Sequence, residues 1–155
     1  MAVKTNAMRI LDAKKIAYKH YEYDPETTDG VLVAALLGQE RSKVFKTLVT
    51  EAPNRNHYVF VIPVGETLDL KKAARAVGEK SVSMIKQKEL LPLTGYIHGG
   101  CSPVGMKKQF RTVFHVSAKE HDTICVSAGQ RGNQIEVSVN ELSSLVRGDF
   151  FDLIV

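Results

Sequence analysis

The stretch from Tyr96 to Lys108 reads Y-I-H-G-G-C-S-P-V-G-M-K-K and concentrates residue types that bring a backbone close to a ligand. The paired Gly99 and Gly100 allow such an approach and aim successive N–H groups at an anion or a carbonyl oxygen. Pro103 stiffens the loop and biases Ser102 towards an extended conformation. The same composition also suits a bulge or tight corner in a curved sheet. Two named motifs come near and fail. A phosphate-binding loop G-x-x-x-x-G-K-[ST] finds its spacing at Gly100 and Gly105, but Met106 stands where the lysine is needed. A hydrolase elbow G-x-S-x-G finds Gly100 and Ser102, but Val104 occupies the last glycine position. His98-Gly99-Gly100 resembles the oxyanion loop of some esterases, where backbone donors stabilise a developing oxyanion.

Lys46 lies inside the otherwise apolar run Val44-Phe45-Lys46-Thr47-Leu48-Val49. Strand alternation puts Phe45, Thr47 and Val49 on one face and Lys46, Leu48 and Thr50 on the other. A lysine there either points to solvent with its stem along the sheet, or lines a pocket and grips a phosphate or carboxylate. The histidines at 20, 57, 98, 115 and 121 form neither HxxxH nor HExxH, so no metal site is expected. Cys101 and Cys125 have no CxxC partner, and no histidine is spaced to activate either, so buried small hydrophobes are expected. Lys71, Lys72 and Arg75 share one helical turn, while Lys107, Lys108 and Arg111 follow the glycine loop. These are solvated faces or, if they flank one pocket, a track for an RNA backbone.

The elements that must position these residues follow from periodicity and punctuation. Thr5 caps a helix carrying Met8, Leu11, Ile16 and Ala17, and a strand over 18–23 stops at Asp24-Pro25. Asp29 caps a helix over 31–37 that ends at Gly38. Residues 44–50 and 57–62 read as a hairpin. Asp69 caps a basic helix over 70–77 that ends at Gly78. A short strand over 81–85 precedes a helical turn over 86–91, closed by Pro92. Strands follow over 112–116, 123–127 and 134–139. Asn140 caps a last helix to Arg147, and a closing strand lies near 150–155. Strands are not separated by regular long helices, so a doubly wound sheet is not expected. The expected fold is α+β, a single domain over 1–155 with a curved, barrel-like mixed β-sheet surrounded by short α-helices.

The chain has 155 residues, 44 % hydrophobic and 25 % charged, enough for a folded core and unlike a disordered chain. No apolar run approaches the roughly 20 residues of a membrane span. The first residues lack the apolar run of a signal peptide, so a reduced cytoplasmic setting and no membrane partner are expected. The net charge of +4 admits an anionic partner.

Four segments in combination resemble the YbaK/EbsC family, free-standing trans-editing proteins related to the editing domain of bacterial prolyl-tRNA synthetases. They are Val44 to Leu48, Leu68 to Lys72, Thr94 to Lys108 and Val126 to Gly132, in the family's order and spacing. The resemblance implies a Cys-tRNA(Pro) deacylase on a curved, nearly barrel-like sheet. Its substrate is an aminoacyl-tRNA, it needs no cofactor, and prolyl-tRNA synthetase is a candidate partner. A deacylase for another mischarged tRNA, or a non-catalytic aminoacyl-tRNA-binding module, are the alternatives.

By this resemblance Lys46 holds the terminal phosphate or ribose and the ester, and the Gly99–Gly100 backbone orients the carbonyl and its oxyanion. Tyr21, Thr47, Ser102, Ser127 and Gly129 are the candidate substrate-binding residues. Lys71, Lys72, Arg75, Lys107, Lys108, Arg111 and Arg131 are the candidate RNA-binding residues. Family members are thought to let the substrate's own cysteine thiol attack its ester, releasing a cyclic thiolactone, so no protein nucleophile is expected. Two departures bear on amino-acid specificity. Thr28-Asp29-Gly30 stands where some relatives carry an aromatic residue, and Gln134 where some carry an acid.

Overall fold

A computed structural model describes residues 4–155. The Thr5 hydroxyl accepts the Met8 N–H at 3.2 Å and starts α1 (Asn6–Ala13), which buries Ala7, Met8 and Leu11. The helix stops earlier than the apolar spacing predicts. Lys15 turns left-handed at φ 58°, its N–H reaches Asp12 O, and the Ile16 N–H reaches Leu11 O. Ile16 is therefore the apolar residue just past the left-handed Lys15 that follows the C-cap Lys14, where it packs back on the core.

β1 (Tyr18–Glu22) leads to α2 (Gly30–Leu36), capped by Asp29 as expected, with Gly38 left-handed beyond it. The predicted hairpin is β2 (Phe45–Glu51) and β3 (His57–Pro63), paired antiparallel from Phe45–Pro63 to Glu51–His57. Asp69 accepts the N–H groups of both Lys71 and Lys72 and starts α3 (Leu70–Val77), which ends at left-handed Gly78. β4 (Ser83–Met84) is followed by α4 (Gln87–Thr94), which runs through Pro92 instead of stopping before it. Proline forfeits only its own N–H bond. The last turn is held by Thr94 Oγ1 on Leu90 O at 2.8 Å and by Gly95 N on Leu91 O at 2.9 Å. β5 (Arg111–His115), β6 (Thr123–Ser127) and β7 (Asn133–Ser138) follow. α5 (Val139–Val146) is capped by Ser138, not Asn140, because the Ser138 hydroxyl meets the Glu141 N–H while Asn140 already lies inside the first turn. β8 (Asp149–Phe151) closes the chain, with Leu68 and Ile154 bridged beyond it.

The strands form two sheets. One is antiparallel, in the order β1-β7-β6; the other is mixed, in the order β4-β2-β3-β5-β8. A single parallel bridge, Val44 to Cys125, joins them, so the barrel-like curve is interrupted and not closed. The main core lies between the sheets, where Phe45, Val49, Val59, Val61 and Phe114 meet Ile124, Val126, Ile135 and Val137. α3 covers the opposite face of the mixed sheet, packing Ala73, Ala74 and Val77 on Phe60, Ile62 and Val113. α2 sits over the junction of the sheets, against Val44, Val64 and Cys125.

Candidate active site

β4 pairs with Thr50 and Glu51, and the Ile85 N–H just past it reaches Val49 O, so the Phe45–Leu48 portion of β2 has an open edge beside β6. Where the sheets splay there, a cavity of about 170 Å³ opens between β2, α2, β6 and the glycine loop. Lys46 and Thr47 reach it from β2, Gly99 and Cys101 from the glycine loop, Ser127 from the end of β6, and Gln134 from β7. Val33, Val44, Val64, Leu90 and Val126 supply the apolar part of the wall.

The Lys46 side chain shares its face with Leu48, as alternation predicts; the two stand opposite Ile62 and Phe60 in the hairpin. The residue is half-buried and forms no ion pair or hydrogen bond among the described residues. Burial pushes the Lys46 ammonium below the ordinary lysine pKa, against a partial offset from the carboxylates of Asp29 and Glu66. An ammonium held in a cavity at that cost is a candidate anchor for a negative or carbonyl oxygen.

The two glycines of the loop do different things. The Gly100 N–H closes a tight turn onto Ile97 O at 2.9 Å, and Gly100 packs on the backbone of Gln130 and Arg131. Its amide is therefore spent, and Gly100 stands behind the cavity wall. Gly99 is the left-handed residue of that turn at φ 85°, and a Cβ there would meet Thr28 Cγ2 at 2.9 Å. The Gly99 amide makes no hydrogen bond among the described residues, and Gly99 lines the cavity.

Thr47 and Ser127 also line the cavity. Thr47 Oγ1 is buried without a partner among the described residues. Ser127 Oγ accepts the Gly129 N–H at 3.2 Å, which leaves its own proton available. Gln134, 3 % exposed, is held by Gln39 Nε2 donating to its Oε1 at 2.7 Å. Burial pushes the Cys101 thiol up to about 12, so it is a neutral wall residue. Among the described residues no Asp or Glu lines the cavity.

Other expected site residues stand elsewhere. The Tyr21 phenol donates to Glu136 at 2.8 Å, and it is Tyr23, just past β1, that borders the cavity. Ser102 is fully buried and its hydroxyl accepts the Val104 N–H. Gly129 turns left-handed at φ 98° against the Tyr96 ring, whose hydroxyl donates across the loop to Val104 O. Thr28, singled out in the Thr28-Asp29-Gly30 departure, borders the cavity, whereas Leu90 does so without a sequence signal of its own.

The expected cationic track does not flank this cavity. Lys72 pairs with Asp152 at 2.9 Å and donates to Ile154 O, and Arg111 pairs with Asp149 at 3.3 Å. Lys72 and Arg75 border a separate hollow with Phe151, and Lys71 extends from the same helix on the far face of the mixed sheet. Lys107 is exposed beside Gly95, and Lys108 lies 5.9 Å from the Phe110 ring centre. Arg131 alone of these seven touches the site's surroundings, through Nε donating to His98 O at 2.8 Å.

This fold and this cavity define a class. The aminoacyl-tRNA editing domain family matches residues 24–145, and the chain belongs to it. It is 46 % identical over 152 residues to an Enterococcus faecalis protein named "Putative Cys-tRNA(Pro)/Cys-tRNA(Cys) deacylase EbsC", covering 97 % of this chain and 93 % of that one. It is also 26 % identical over 123 residues to the uncharacterised protein YwhH of Bacillus subtilis, covering 79 % and 77 % of the two chains. The fold superposes, with a TM-score of 0.85 at 23 % identity and 99 % coverage of both chains, on the crystal structure of "a putative trans-editing enzyme for prolyl tRNA synthetase". Aminoacyl-tRNA editing is the activity this family carries. Among the described residues no helix is long and apolar enough to cross a membrane.

Proposed function

We propose that this chain deacylates Cys-tRNA(Pro), with the substrate's own cysteine thiol as nucleophile. The observation that carries this reading is a cavity lined by Lys46, by Gly99 with its amide unspent, and by Thr47 and Ser127, with no carboxylate and only a neutral thiol among the described lining residues. At about 170 Å³ it is little larger than the ~150 Å³ that holds a benzene ring. It therefore suits an aminoacyl group and leaves the nucleoside outside. tRNA selection then falls to surfaces beyond the cavity, or to prolyl-tRNA synthetase as a partner. The name of the E. faecalis relative favours cysteine as the amino acid.

The residues act by placement. Lys46 holds the terminal ribose or phosphate oxygen and keeps the ester at the mouth of the cavity. The Gly99 N–H, not that of Gly100, faces the carbonyl oxygen and stabilises it as charge develops. Ser127 and Thr47 orient the substrate's amino group. The thiol sulfur bonds to the carbonyl carbon, the ester C–O bond breaks, and the thiol proton ends on the released ribose oxygen. The products are a four-membered thiolactone and uncharged tRNA. Fixing thiol and ester within one bound molecule removes much of the entropic barrier, up to about 7–11 kcal/mol in ideal geometry.

The test is to follow loss of the aminoacyl group from Cys-, Ala- and Pro-tRNA(Pro), and from Cys-tRNA(Pro) methylated at sulfur. Only the unmodified cysteinyl substrate is expected to turn over. Equal turnover of the methylated substrate would replace the thiol with an activated water, and no turnover of any substrate would end the enzymatic reading.

A further inference from the structure

We infer that the groove on the outer side of α4 is the seat of the single-stranded 3′ end of the tRNA, immediately upstream of the esterified nucleoside. The inference rests on the aminoacyl-tRNA reading above and adds the path by which RNA reaches the cavity. α4 is a shared wall. Leu90 faces the cavity, while Gln87, Lys88 and Leu91 face a groove of about 470 Å³ completed by Ile97, His98 and Arg131. His98 borders both spaces, so the groove adjoins the cavity.

The groove's chemistry fits nucleotides. Among the described residues its cations are Lys88 and Arg131, and no carboxylate lines it. Lys88 is exposed and pairs with no acid among the described residues. Arg131 spends only Nε, on the His98 carbonyl, which leaves both guanidinium amino groups for a phosphate. Leu91 and Ile97 are 51 % and 43 % exposed, an apolar floor on which a base can lie beside the His98 ring. The α3 face lacks this combination, because Lys72 is neutralised by Asp152 and its hollow does not adjoin the cavity. A nucleoside too large for the cavity needs such a continuation, and the groove's volume is nearly three times that of the cavity.

Lys88→Glu and Ile97→Gln, both at exposed positions, test the groove, with Lys71→Glu as the control on the far face. Binding of a fluorescent acceptor-stem RNA ending in single-stranded CCA is measured against salt. Deacylation is measured on Cys-tRNA(Pro) and on cysteinyl-adenosine, which carries the ester but no upstream nucleotide. Lys88→Glu is expected to weaken RNA binding and lower kcat/KM on the tRNA by about tenfold, with a salt slope shallower by about 1. Cysteinyl-adenosine should turn over as with the unaltered chain, and Lys71→Glu should change nothing by more than about twofold.

Unchanged RNA binding in Lys88→Glu overturns the groove, as does an equal loss in Lys71→Glu. If Lys88→Glu instead weakens self-association or capture of a protein partner while RNA binding holds, the groove is a protein-docking surface and the inference fails. The two proposals fail separately. Absent deacylation with RNA binding still sensitive to Lys88 ends the enzymatic reading, whereas intact deacylation with insensitive binding ends the groove.

Discussion

Lys46 sets the character of the site at the scale of a single residue. Its ammonium is half-buried, faces the apolar side chains of Leu48 and Ile62, and finds no partner closer than the field of Asp29 and Glu66. Such a charge costs folding energy that a hydrocarbon of similar shape would not. Lys46→Met should therefore raise Tm by about 2–4 °C while lowering deacylation about a hundredfold. Calorimetry together with the turnover assay checks this, and a variant that keeps activity would remove Lys46 from the site. Cys101 shows the opposite case. A thiol pushed up to about 12 by burial is wall, as its flanking sequence already suggested.

At the scale of the element, short helices act as walls and caps decide where they begin. α4 places Leu90 inward and Leu91 outward, and so divides the cavity from the outer groove. Pro92 does not interrupt it, because one lost N–H bond in a final turn is small against the packing of Leu90 and Leu93 on the core. α3 has a different job. It seals the second face of the mixed sheet, and Asp69 secures its first turn with two backbone bonds. Asp69→Ala should cost about 1 kcal/mol, or roughly 2–4 °C in Tm, and leave both tRNA binding and deacylation unchanged. A fall in activity larger than the fall in stability would return α3 to the RNA path. The sequence located these caps well, because a cap depends on residues within one turn of each other. It misassigned Asn140 because two residues within one turn, Ser138 and Asn140, are both competent caps.

On the scale of the whole molecule, what matters is how two sheets are held at the angle that opens the cavity. Next to the Val44–Cys125 bridge, Glu136 accepts from Lys43 at 2.8 Å, from Tyr21 at 2.8 Å and from Thr123 at 2.5 Å. This ties all three strands of the small sheet to the entry of β2. The three donors hold the Glu136 carboxyl at about 2, below its ordinary 4.5. A lowered folded-state pKa means that this stabilisation is complete above pH 4.5 and is lost as pH falls to about 2. Glu136→Gln should lose about 2–3 kcal/mol at pH 7 and show a flatter acid limb between pH 5 and 2. Urea unfolding across that range reads both, and parallel limbs in the two proteins would show that Glu136 does not fasten the sheets.

The sequence by itself determined the hairpin of β2 and β3, the capped starts of α1, α2 and α3, the face on which Lys46 lies, and the neutrality of Cys101. Each follows from strand alternation, from a cap within three residues, or from the absence of an activating neighbour. The tertiary structure decided the rest of the site. Whether Tyr21 or Tyr23 meets the cavity depends on Glu136, which is 115 residues from Tyr21 along the chain. Which cations remain free depends on Asp149 and Asp152, packed back on α3 and β5 by the end of the chain. Which glycine amide stays available depends on a turn that closes at Gly100 and packs against Arg131. Local preference is additive over a few residues and can be read from order alone. The vacancy of a donor is set by every group that folding brings within about 3 Å, and order alone does not say which groups those are.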